Sequence, residues 1–267
     1  MLIKGYIKSR TRYFLLFLFI TSIQCLQAEH FDTPVISIII DDLGYRGTDD
    51  LNALSLPGPI TYAIMPHAPN SLKISEIAKQ SGNNVILHLP MEAIEKSKNK
   101  YLGPGALKID MSENIFISTL SNNIHSIPNI IGVNNHMGSL LTNQIEQMEW
   151  LMDYLYLRKI FYVDSLTSSS TVTREIANKK NVPYLERDVF LDNYRDTEYI
   201  DSQFKLLISV AKRKGSAIAI GHPHPETIKV LKLNLQKIET FGVKLISLKD
   251  MIEDRHPNIN SKLTLLK

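Results

Sequence analysis

The sequence predicts an α/β fold, either a doubly wound sheet or a barrel, in which parallel strands alternate with helices. Three observations carry this prediction. Short apolar runs rich in β-branched residues recur after residue 34, most end in a small polar cluster, and the stretches between them carry helical spacing. Continuous apolar runs suit strands buried on both faces, as helices on a parallel sheet require.

The elements follow in chain order. The first strand is VISIII (35–40) and the second ITYAIM (60–65). A helix from Ser71 to Lys79 is closed by Gly82, and NVILHL (84–89) is the third strand. The segment from Met91 to Asp110 has no clear period and reads as a long functional loop. Phe116, Leu120 and Ile124, spaced by four, predict a helix from Ser112 to Ser126 before the strand NIIGV (129–133). Ile145, Met148, Met152 and Leu155 share one face of a helix from Thr142 to Arg158, followed by the strands KIFYV (159–163) and VPYL (182–185). Ile200, Phe204, Leu207 and Ala211 mark a helix from Glu198 to Arg213. The strand SAIAI (216–220), a helix from Pro225 to Lys237 with proline in its first turn, and the strand VKLISL (243–248) complete the pattern. No linker or low-complexity tract interrupts it, so one domain is expected over 33–254, with a polar tail over 255–267.

The chain has 267 residues, 21% of them charged, and a formal net charge of +3. That charge sits at one end. Lys4, Lys8, Arg10 and Arg12 precede the apolar run YFLLFLFITSI, and Ala28 offers a small residue for cleavage. This order is that of a secretory signal peptide over 1–28, which predicts a periplasmic or extracellular protein. A lipoprotein signal at Cys25 and an uncleaved signal anchor are the lesser alternatives, and the run is too short to span a membrane as a mature helix. Removing it leaves 26 basic residues against 27 acidic ones, a net of −1, which argues against a nucleic-acid partner. The sole cysteine, Cys25, leaves with it, so an exported body has no disulfide and relies on its core.

Parallel α/β folds build their sites at the carboxyl ends of the strands. Here those ends carry Asp41-Asp42, His88, Asn134-Asn135-His136, Asp164-Ser165, Arg187-Asp188 and His222-Pro223-His224, with His67 a weaker candidate. Each has an ordinary structural explanation alone: helix caps, turns, a core histidine, a structural ion pair. Together they crowd one rim, where helix caps would not require three histidines. One carboxylate with two imidazoles is a way to hold Zn²⁺ or another first-row divalent ion while leaving positions open, and such an ion promotes hydrolysis. Walker, GxGxxG, GxSxG and HExxH motifs are absent, and Ser139 and Ser165 lack a nucleophile elbow.

The ordered set IIIDDLG (38–44), AIMP (63–66), LHLPME (87–92), GPGAL (103–107), GVNNHMGS (132–139), DS (164–165), RDVFLD (187–192) and IGHPHPET (220–227) resembles the divergent polysaccharide deacetylase family from about Val35 to about Asp250. The resemblance implies an irregular (β/α) barrel of about seven parallel strands, related to the NodB-type carbohydrate esterases. It also implies a metal-dependent hydrolase acting on an acetylated glycan. Asp41 is then the general base, Asp42, His88 and His136 the metal ligands, and His222 or His224 the acid. Asp164 and the Arg187-Asp188 pair would orient base and acid. The histidine ligands come from two strands, in place of the His-Ser/Thr-x-x-His motif of the better-studied deacetylases. The competing expectation is an inactive barrel that binds glycan or protein in the envelope. Such a module would favour an aromatic platform, whereas Trp150, the only tryptophan, falls on a predicted helix.

Overall fold

A computed structural model describes residues 33–256. The expected signal (1–28), Cys25 and nearly all of the expected tail lie outside the described residues.

The elements run β1 (Val35–Leu43), α1 (Thr48–Ala53), β2 (Thr61–Ile64), α2 (Ser71–Gln80), β3 (Asn84–Met91), α3 (Glu113–His125), β4 (Gly132–Met137), α4 (Ile145–Arg158), β5 (Phe161–Asp164), α5 (Thr173–Lys179), β6 (Tyr184–Glu186), β7 (Val189–Phe190), α6 (Thr197–Lys214), β8 (Ser216–Gly221), α7 (Pro225–Leu235), β9 (Lys244–Leu245) and α8 (Leu248–Arg255). All strand pairs are parallel. The path β6-β5-β4-β3-β2-β1-β8-β7 advances one neighbour at a time, which is the winding of a barrel and not of a doubly wound sheet. The sheet curls into a half-barrel and stays open between β6 and β7, which do not pair. Only Arg187 and Asp188 separate these two strands. The Arg187 N–H bonds to Asp164 O and the Asp188 N–H to Ile218 O, so two consecutive residues bridge the seam.

Alternation along the strands sorts two cores. Ile36, Ile38, Ile40, Tyr62, Ile64, Leu87 and Val133 face the helices on the convex side. Val35, Ile39, Ala63, Ile86, Phe161, Val163, Leu185, Ile218 and Ile220 fill the concave side. Leu248, Met251 and Ile252 of α8 join this inner cluster. The same helix crosses the amino ends of the strands: Lys249 N–H bonds to Asn84 Oδ1, Arg255 Nη2 to Ser216 Oγ and His256 Nε2 to Tyr184 O.

The structure corrects the last predicted strand. Only Lys244 and Leu245 pair with β1; the Ser247 side chain then accepts from the Asp250 N–H and starts α8. Leu248, Met251 and Ile252, at helical spacing, plug the barrel. The expected start of the polar tail at 255 likewise falls within α8. The predicted strand at 129–133 moves to 132–137, because Asn129 takes a left-handed turn (φ 63°) and the chain becomes extended only after it. The 91–110 loop is tied down: Met91 bridges Leu107, and the Glu92 side chain accepts from Ile109 N–H.

Candidate active site

The period-two alternation that places Val35, Ser37 and Ile39 on the concave side carries Asp41 there too. Between Ile40 and Leu43 the register of β1 against β2 shifts, and Asp42 adopts a left-handed backbone (φ 62°). This local irregularity turns the second carboxylate toward the same mouth, at a cost in backbone strain of about 1–3 kcal/mol. On β3 the parity of Ile86 brings in His88. On β4 Gly132, Asn134 and His136 share a parity, and His88 pairs directly with Asn134 across the strands. On β8 the parity of Ile218 and Ile220 continues to His222.

The atoms of three residues converge. Asp42 Oδ1 lies 2.9 Å from His136 Nδ1 and 3.1 Å from His88 Nε2, and the two ring nitrogens are 3.1 Å apart. Ligand atoms about 2.1 Å from an ion lie about 3.0 Å apart at right angles and about 3.4 Å apart in a tetrahedron. The observed triangle matches one face of such a shell. Asp42 Oδ1 is buried yet has no well-aligned hydrogen-bond donor, despite its two close ring nitrogens. The three side chains therefore aim at a common point, as ligands of a cation do, and Asp42, His88 and His136 form a candidate metal-binding group.

Asn134 sets the neighbouring geometry. Its Oδ1 accepts from His88 Nδ1 (2.8 Å), which leaves the His88 Nε2 lone pair free to face Asp42. Its Nδ2 donates to Asp41 Oδ1 (2.8 Å). Asp41 Oδ2 lies 3.7 Å from His88 Nε2. Burial raises the Asp41 carboxyl above the usual carboxylate range, against the pull of His88 and His222. Burial also opposes charge on Asp42, but the adjoining His136 and His88 imidazoles hold it well below that range.

On the other side of the mouth, His222 Nε2 stands 3.8 Å from Asp42 Oδ2. Its Nδ1 donates to Asp192 Oδ1 (2.9 Å), while Asp192 Oδ2 accepts from the His222 N–H and from Thr227 Oγ1. Burial would lower His222, but Asp192 first and then Asp42 raise it to about 9. His224 points elsewhere. Its Nδ1 meets Arg46 Nη1 at 3.2 Å, and burial takes it down to about 4, outweighing Asp192, with Arg195, His222 and Arg46 acting in the same downward direction. Asp192, His222 and His224 also stand together, yet a cation there would have to displace the bonds to Asp192 and the Arg46 guanidinium.

The remaining expectations sort by contact. Asp164 orients neither Asp41 nor His222: it lies on the convex parity and accepts from Leu166 N–H and Thr171 Oγ1. Arg187 and Asp188 do not pair with each other. Arg187 donates to Ser165 O and Leu166 O, and its charge reaches Asp41. Asp188 binds Lys214 and the Ile218 N–H. His67 is exposed at the rim and bonds to Asn123 Oδ1. Sequence reasoning put Asn134 on the rim without a role and missed Asp192 and Arg46 as parts of the site. Asp192 ends the quoted run RDVFLD, and its place beyond a strand end was the available signal.

The family model described as divergent polysaccharide deacetylase matches residues 38–252. The chain belongs to the divergent polysaccharide deacetylase family. It is 34% identical over 197 residues to YibQ of Escherichia coli K12, an uncharacterized protein, covering 74% of this chain and 61% of that relative's length. Among solved structures, the uncharacterized protein ATU2773 of Agrobacterium tumefaciens C58 superposes with a TM-score of 0.79 at 21% identity, over 82% of this chain and 89% of that one. A mutant of BA3943 from Bacillus anthracis, a CE4 family pseudoenzyme with restored enzymatic activity, superposes with a TM-score of 0.51 at 13% identity, over 84% of this chain and 69% of that one. This member of the divergent polysaccharide deacetylase family thus has a deacetylase-like fold, and its curled half-barrel of parallel strands is the architecture of its CE4 neighbours.

Proposed function

We propose that the protein is an exported, metal-dependent hydrolase that removes acetyl groups from an envelope or extracellular glycan. The observation that carries this reading is a mouth with two chemically distinct sides. Asp42, His88 and His136 converge beside the buried carboxylate of Asp41 on one side, and the His222-Asp192 pair faces them from the other.

Asp42, His88 and His136 would hold the divalent ion, Zn²⁺ or another first-row metal. When bound, it polarises a carbonyl oxygen and acidifies water. Asp41, kept basic by burial and anchored by Asn134, takes the proton of the attacking water at its Oδ2. His222 carries a proton on Nε2 at neutral pH and delivers it to the departing amine or alkoxide, with Nδ1 bound to Asp192. Arg187 acts on Asp41 by its charge, and His224 acts through Arg46, not as the acid.

Metal analysis of the purified protein, followed by acetate release from a panel of acetylated glycans with and without chelator, tests the reading. The expected result is about one divalent ion per chain, chelator-sensitive acetate release, and loss of bound metal in Asp42→Ala. Full occupancy in that variant would overturn the ligand assignment. A metal-free protein that releases no acetate would favour a binding barrel; among the structural neighbours, BA3943 is a CE4 family pseudoenzyme.

A further inference from the structure

We infer that Arg46 is a specificity residue that takes a carboxylate carried by the glycan, on the side of the scissile acetyl group where His222 stands. The inference rests on the deacetylase reading above and narrows its substrate class to acidic acetylated glycans.

Arg46 follows the Asp41-Asp42 pair on the loop after β1. That loop is rigid: the N–H groups of Gly44, Arg46 and Gly47 all donate to one oxygen of the buried Asp50. The half-buried Arg46 side chain makes no ion pair among the described residues. Its one hydrogen bond goes to His224 Nδ1, at 3.2 Å. A guanidinium can only donate, so His224 meets it as a neutral acceptor and leaves its charge intact. Arg46 has further N–H groups in a planar fork that matches a carboxylate in two places. Asp50 takes three backbone N–H groups on one oxygen and acts on Arg46 by its charge without an ion pair, and Asp192 is bound to His222 and Thr227, so no carboxylate closes the fork.

The position fixes which part of a substrate would meet it. The His222 and His224 rings are stacked with centroids 5.5 Å apart, and Arg46 lies one hydrogen bond beyond His224. The guanidinium is therefore joined to the group that would protonate the leaving atom through His224 alone. Arg195, on the exposed loop after β7, acts on the same His224 and adds a second positive charge on that side. A neutral glycan would leave the Arg46 fork without a carboxylate partner.

The test uses the metal-loaded protein with an acetylated uronic-acid oligosaccharide and the same oligosaccharide with its carboxylates reduced to alcohols. The intact oligosaccharide is expected to show a KM about tenfold or more below the reduced one. Arg46→Gln should bring that ratio close to one, and Arg46→Lys should keep an intermediate ratio as a check on folding. No preference in the wild type, or an equal loss on both substrates in Arg46→Gln, would overturn the inference. Calorimetric binding of the same two oligosaccharides separates the two readings. Arg46-dependent selective binding without acetate release would sustain this inference and overturn the hydrolase. Unselective binding with acetate release would do the reverse.

Discussion

At the scale of single residues, the site is a set of partners chosen by parity and held by neighbours. Asp192 is the clearest case, because one carboxylate orients His222 through its ring and its main chain. With His222 raised to about 9, it is protonated at neutral pH and its acid form is lost as pH rises through that value. Acetate release should therefore fall on the alkaline side. In Asp192→Asn the largest upward influence on His222 is gone, so the alkaline limb of kcat/KM should move to lower pH by about one unit or more. An unmoved limb would remove His222 from the role of acid. Asp41, His88, His136 and His222 were legible in the sequence because each ends or continues an apolar strand, so position alone sends them to one rim. The roles of Asn134, Asp192 and Arg46 were not, because what distinguishes them is a side-chain partner 46, 30 and 178 positions away. An asparagine before another asparagine looks like a turn until His88 is seen opposite it.

At the scale of elements, long amphipathic helices and fully buried strands were readable, and short ones were not. The helices over 112–126 and 198–213 fall within a residue of α3 and α6, since both carry several turns of apolar spacing. α1, α5 and α8 have six, seven and eight residues, too few to establish a period, and β7 has two. α8 was further masked because 243–248 reads as an apolar run broken only by Lys244 and the capping Ser247. Its contribution is nonetheless large. Met251 is fully buried in the inner cluster, so Met251→Ala should destabilise the fold by about 2–5 kcal/mol in chemical denaturation while leaving the mouth, at the other end of the strands, able to bind metal. A loss of under about 1 kcal/mol would mean that α8 is not a structural plug.

At the scale of the whole molecule, a metal ligated by residues of β1, β3 and β4 would tie three strands together through side chains as well as through the sheet. Binding to the folded chain alone adds stability by mass action, about 2.7 kcal/mol at a free ion concentration 100 times Kd. For a domain of this size that corresponds to a rise in Tm of about 5–10 °C. The rise should appear in thermal unfolding with added ion, vanish with chelator, and be absent in Asp42→Ala. An equal rise in the variant would place the ion elsewhere.

The barrel behaves as a split ring. Every other joint around its circumference is a ladder of main-chain bonds whose spacing is fixed by the peptide, but the joint between β6 and β7 is set by two residues anchored to opposite sides. Residues added at that joint would lengthen the circumference without breaking a strand pair, and the entropy of a longer connection grows only by about 0.6 kcal/mol per doubling. Insertions there would therefore change the girth of the mouth while the carboxylates and imidazoles on β1, β3 and β4 keep their places.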